Sequence, residues 1–136
     1  MKRNATAVWN GTLKEGKGHL TTGSEALHKV PYNFKMRFED EKGTNPEELI
    51  GAAHAGCFTM QLSANLAKEG FDPAELKTKA EILFEEGTVK RSHLSLVAKV
   101  SGISQEKFDE LVQHAKENCP ISKLLNAEIT LESSLN

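Results

Sequence analysis

Cysteine is scarce in this sequence: there are two, Cys57 and Cys119, and they form no CxxC pair. That count excludes a disulfide-stapled scaffold and a four-cysteine zinc module. Long hydrophobic runs are missing as well. No stretch approaches the roughly 18 consecutive apolar residues that a membrane-spanning helix needs, so no membrane role is expected. Behind the basic start Met1-Lys2-Arg3 there is no apolar segment of the kind a secretory signal carries, and a cytoplasmic location is expected. Excess positive charge is absent too. The 17 Lys and Arg stand against 19 Asp and Glu, a formal net charge of −2, so nothing advertises a nucleic-acid partner. Lys14, Lys17 and Lys29 lie near glycines without the Gly-Lys-Ser/Thr ending of a phosphate loop, and no serine sits in a nucleophile-elbow context.

What is present is an ordinary folded composition, 38% hydrophobic and 26% charged over 136 residues. One domain spanning 1–136 is expected, with a modest core that a dimer would enlarge. Ala5–Trp9 followed by Asn10-Gly11 reads as a strand entering a hairpin turn. His19–Thr22 and Phe34–Phe38 alternate apolar and polar residues with period two and read as strands. Asn45, Pro46 and Glu48 mark a helix start, as cap, first helical residue and capping-box partner. The apolar pattern then runs through Leu49, Ile50, Ala53, Phe58, Leu62 and Leu66 to a stop near Gly70, a central helix rich in small residues. Strands are expected over 76–85 and 92–100, and a helix from Gln105 to about Asn118 capped by Ser104. A short helical turn follows Cys119-Pro120, and a last strand starts at Glu128. The order β-β-β-α-β-β-α-β with mostly antiparallel neighbours argues for an α+β fold.

In a reducing compartment two thiols are more often catalytic, redox-sensing or metal-binding than permanently bridged. Read from residues alone, Cys57 and Cys119 fit either redox chemistry or packing as small hydrophobes. Only a thiolate attacks, and burial beside Ala55, Phe58 and Leu62 raises a thiol's pKa, so a reactive Cys57 needs a cation. Arg37, between Met36 and Phe38, is the best candidate if its strand carries it inward. An inward guanidinium needs a carboxylate to orient it, and Glu47 is the candidate. Glu47 precedes Cys57 by about 15 Å of helix, so an antiparallel pair of such helices in a two-fold dimer would bring the two together. Cys119 sits at a helix mouth, where amide donors favour its thiolate. His54, three positions before Cys57, reads as a core or interface histidine rather than half a zinc site. The other histidines carry no spacing signal, and no metal or cofactor is expected.

The segments Pro31–Phe34, Arg37–Glu39, Glu41–Ala55, Cys57-Phe58, Cys119–Ser122 and Leu125–Leu131 together resemble the OsmC proteins of the OsmC/Ohr family, along essentially the whole chain. The resemblance implies thiol peroxidases acting on organic hydroperoxides, with no cofactor. Cys57 falls on the family's peroxidatic cysteine and Cys119 on its resolving cysteine. Arg37 falls on the arginine that pairs with the reactive sulfur, and Glu47 on the carboxylate that holds that arginine. It also implies an intertwined homodimer, with long central helices between antiparallel sheets and sites at the interface.

The implied cycle oxidises Cys57 to a sulfenic acid, closes a Cys57–Cys119 disulfide, and reopens it with an external dithiol, of lipoyl type by the family's example. Phe38, Phe58, Met36, Met60 and Leu62 would favour alkyl over hydrogen peroxide. The rival reading is a non-enzymatic dimeric module that binds an apolar ligand and uses both cysteines structurally.

Overall fold

The computed structural model describes residues 1–136, which group into two compact units, Met1–Leu49 and Ile50–Asn136. The architecture is α+β, as expected.

The first unit is a three-stranded antiparallel sheet of β1 (Ala5–Asn10), β2 (Lys17–Thr22) and β3 (Val30–Tyr32), with β2 in the middle. Trp9, Gly18 and Tyr32 stand in register across it, and the two rings lie with centroids 5.3 Å apart. A Cβ on Gly18 would come within 2.7 Å of either ring, so glycine is what lets them close over the strand.

The period-two reading of 34–38 is overturned. Phe34–Phe38 forms a one-turn helix, α1. Asn33 caps it, its Oδ1 accepting from the Met36 N–H at 2.8 Å, and the Phe34 and Phe38 rings meet four residues apart at 4.9 Å. An apolar residue at every second position also places the first and fifth on one helical face, and the cap decides between the two outcomes.

Asn45 opens α2 (Pro46–Lys68) as expected. Its Oδ1 accepts from the Glu48 N–H at 2.8 Å and its Nδ2 donates to Glu48 Oε2 at 3.0 Å. The helix ends where Gly70 takes a φ of +83° and the Phe71 N–H reaches back to the Leu66 carbonyl at 2.9 Å. Its 23 residues make a rod of about 34 Å.

In the second unit β4 (Glu75–Glu85) and β5 (Thr88–Lys99) form an antiparallel hairpin. Its turn residues Glu86 and Gly87 both have positive φ, as a tight primed turn requires. α3 (Gln105–Asn118) and α4 (Pro120–Leu124) carry the chain back, so β6 (Glu128–Leu135) joins β5 in parallel. This is the one departure from the antiparallel expectation.

Ser104 caps α3 by accepting from the Lys107 N–H. Phe108, Leu111, Val112 and Ala115 then fall on its buried face at helical spacing. They meet Phe58, Leu62 and Leu66 of α2 and Leu94, Leu96 and Ala98 of β5 in one core. Each large side chain buried there contributes about 1.5–3 kcal/mol. Asn65 fastens α2 to α3 through a 3.1 Å hydrogen bond to the Leu111 carbonyl. Phe108 has no exposed surface, so Phe108→Ala is expected to cost about 3–5 kcal/mol in urea unfolding; a loss under 1 kcal/mol would show this core to be wrongly drawn.

Candidate active site

Cys57 lies in mid-helix on α2, half-buried against the core, while Cys119 has no exposed surface at all. The second cysteine closes one helix and opens the next. Its N–H donates to the Ala115 carbonyl at 3.0 Å, ending α3, and its sulfur accepts the Ser122 N–H at 3.4 Å, capping α4. Pro120 supplies the fixed φ of a first helical residue. The Ser122 hydroxyl donates to the same sulfur at 3.5 Å.

The two thiols lie close together, Cys57 packing against the core that contains Cys119. Burial is the largest influence on Cys57 and pushes its thiol up; the Ile121 N–H, hydrogen-bonded to its sulfur, works against this. The hydrogen bond to Cys119 and that group's charge raise it further. Both thiols are free.

His54 lies within the same unit, fully buried, its ring reaching β5 and α4. Nδ1 is 2.7 Å from Ser92 Oγ and Nε2 is 2.8 Å from Ser122 Oγ. It is the core histidine the sequence suggested, with both nitrogens taken by hydroxyls. Burial depresses its pKa. Sequence reasoning passed over Ser92 and Ser122. For Ser92 a signal existed: it shares the inward face of β5 with Leu94, Leu96 and Ala98, a polar group in an apolar row.

Arg37 and Glu47 come together in the first unit. Arg37 Nη2 lies 2.9 Å from Glu47 Oε1, and its Nε lies 3.2 and 3.3 Å from the two carboxylate oxygens. The structure thus brings Glu47 and Arg37 together as a forked pair within one chain. The guanidinium is not carried inward, however: its side chain is 35% exposed against 16% for Glu47. The helical α1 is the reason, since it sets Arg37 beside α2's first turn and over the Phe38 ring at 5.0 Å.

A cleft of about 280 Å³ opens beside Arg37, lined by Trp9, Leu13, Tyr32, Phe34 and Phe38. Phe58 and Leu62, expected as crevice lining, are instead wholly buried in the core of the second unit.

Residues 39–134 match the sequence model of the family described as OsmC-like protein. The chain belongs to the OsmC family. Over 98% of its length it is 44% identical to Peroxiredoxin OsmC of Escherichia coli (strain K12), covering 96% of that protein. Organic hydroperoxide resistance protein OhrB of Bacillus subtilis (strain 168) is 30% identical over 89% of this chain and 93% of its own length. The crystal structure of Bacillus subtilis OhrB superposes with a TM-score of 0.63 at 26% identity, covering 98% of both chains. An OsmC-like protein from Vibrio cholerae shares the fold with a TM-score of 0.78 at 17% identity, over 98% of this chain and 99% of that one.

The depressed pKa of His54 has a stability consequence with a definite sign. Below about pH 6.5 the unfolded chain takes up a proton that the folded one resists. This contribution is therefore full above pH 6.5 and is lost as the pH falls toward the depressed value. Urea midpoints followed from pH 7.5 to 5 are expected to fall more steeply in the parent than in His54→Gln. Parallel curves would show that His54 does not carry the effect.

Proposed function

We propose that the chain is a thiol-dependent peroxidase that reduces organic hydroperoxides to alcohols, as the names of its relatives suggest. The observation that carries this reading is the closeness of the two thiols, Cys57 packed against the core that holds Cys119 and feeling its charge, with the Ser122 amide donating to the Cys119 sulfur. Cys57, as thiolate, attacks the peroxide; the O–O bond breaks, an alcohol leaves and Cys57 becomes a sulfenic acid. Its raised pKa demands a cation, and Arg37, oriented by Glu47, is assigned that role together with stabilisation of the leaving alkoxide. Cys119 then forms a disulfide with Cys57, which an external dithiol, of lipoyl type, reopens by exchange. The aromatic cleft beside Arg37 suits the organic group of the peroxide.

We assign the working form as a homodimer. Ala52, Ala53 and Gly56 expose one small-residue face of α2, with Met60 76% exposed beside them. A Cβ at Gly56 would meet nothing within 4 Å. Glycine in mid-helix costs about 1 kcal/mol relative to alanine, and a second backbone packed against this face would explain the residue. Sedimentation at micromolar concentration is expected to give a dimer, and Gly56→Leu to weaken it; a parent protein that sediments as a monomer removes this assignment.

Turnover separates the roles. Cys57→Ser is expected to abolish consumption of cumene hydroperoxide, whereas Cys119→Ser still permits one oxidation per site. Arg37→Met is expected to slow that oxidation by on the order of 100-fold. Substantial multiple turnover by Cys57→Ser, or equal efficiency of the parent on hydrogen peroxide and cumene hydroperoxide, contradicts the reading.

A further inference from the structure

His54, Ser92 and Ser122 have no part in the cycle above, yet they are 0%, 0% and 8% exposed and are hydrogen-bonded in a line that ends on a reacting sulfur. Polar groups are costly to bury, and their proton inventory decides how the line runs. The Ser92 hydroxyl has one partner, Nδ1 of His54. The Ser122 hydroxyl stands between Nε2 of His54 and the Cys119 sulfur. Each hydroxyl has a single proton to give.

Suppose Nδ1 carries the ring proton. It then donates to Ser92, whose own proton is left without an acceptor in a fully buried place. An imidazolium has the same defect and adds an unpaired buried charge. With the proton on Nε2 every donor is used. Ser92 donates to Nδ1, Nε2–H donates to Ser122 Oγ, and the Ser122 hydroxyl is left to point at Cys119 Sγ. The line is then a one-way chain of neutral donors, and Cys57, Cys119 and His54 are the ionisable groups joined to it. The depressed pKa of His54 fits this, because burial keeps the ring neutral.

We propose that His54 is a positioning residue for the disulfide half of the cycle: as the neutral Nε2–H tautomer it turns the Ser122 hydroxyl onto Cys119 Sγ, which then meets two donors from one residue whenever it carries negative charge. This rests on Cys119 being the resolving thiol. Charge develops there twice. In closure, the Cys119 thiolate attacks the sulfenic sulfur of Cys57; the S–S bond forms, the S–O bond breaks, and the departing hydroxide leaves as water with the proton Cys119 gave up. In reopening, a thiolate of the external dithiol attacks Cys57 Sγ and the S–S electron pair departs on Cys119. Ser122 O–H and N–H stabilise the sulfur in both steps, where neighbouring charge from a cation is replaced by fixed dipoles.

Two measurements test it. In the reduced parent protein, nitrogen-15 NMR of the histidines is expected to show His54 neutral and protonated on Nε2 at pH 7; protonation on Nδ1, or on both nitrogens, overturns the proposal without reference to any turnover. The second follows a single oxidation by cumene hydroperoxide in a stopped flow, reading the ratio of the disulfide-forming phase to the sulfenic-acid phase. Ser122→Ala is expected to lower that ratio about tenfold or more, the usual worth of a hydrogen bond to a charged group. Ser122→Thr, which keeps the hydroxyl, is expected to restore it. His54→Gln, which keeps a neutral N–H donor, stays near the parent and His54→Leu falls with Ser122→Ala. An unchanged ratio in folded Ser122→Ala, or no recovery in Ser122→Thr, overturns it. A parent that shows no sulfenic-acid phase at all overturns the peroxidase reading instead, and the NMR result still stands on its own.

Discussion

A sulfur atom with no exposed surface must find its solvation inside the protein, and at Cys119 that requirement organises four elements. α3 ends and α4 begins at this residue, so the Ser122 amide freed at the new helix start donates to its side chain. Ser122 adds a hydroxyl, and His54 of α2 and Ser92 of β5 stand behind that hydroxyl. A cysteine is an unusual helix cap, being less strongly hydrogen-bonding than serine or aspartate. The position makes sense if, as proposed, the cap also reacts.

The two thiols are treated unequally. Cys119 is supplied with neutral donors, whereas Cys57 has one amide and a burial that pushes its thiol up. The proposed cycle assigns the ionisation of Cys57 to a cation, and the forked cation–carboxylate pair of this chain is Arg37 with Glu47. Glu47 sits in the first turn of α2, where the helix macrodipole favours a negative charge, so the carboxylate that steers the arginine is itself steadied by the helix that carries Cys57. In the proposed cycle fixed dipoles would serve Cys119, and the arginine oriented by Glu47 would serve Cys57.

Elements with strong punctuation could be read from the sequence directly. Asn45-Pro46 with Glu48, Ser104, and Cys119-Pro120 each announced a helix start that the structure contains. The pairing of Arg37 with Glu47 was legible because an arginine among apolar residues asks for a carboxylate. Phe34–Phe38 was misread because its alternation satisfies two periods at once, and Arg37 consequently faces outward. The parallel seating of β6 was invisible, since strand direction depends on where two intervening helices return the chain. Ser92 and Ser122 could not be found by motif: they matter through contacts with a residue 38 or 68 positions away.

Cys119 forms the corner between two helices, with φ −60° and ψ 131°. Linking its sulfur to Cys57 would fasten that corner to the middle of α2 and close a loop of about 60 residues. Chain-entropy arguments value such a loop at about 4 kcal/mol, through the denatured ensemble alone. In the proposed cycle each round of chemistry would therefore alternate the polypeptide between a tethered form and a looser one. Resistance to heat and to proteolysis would then become a readout of how much oxidant the protein has met.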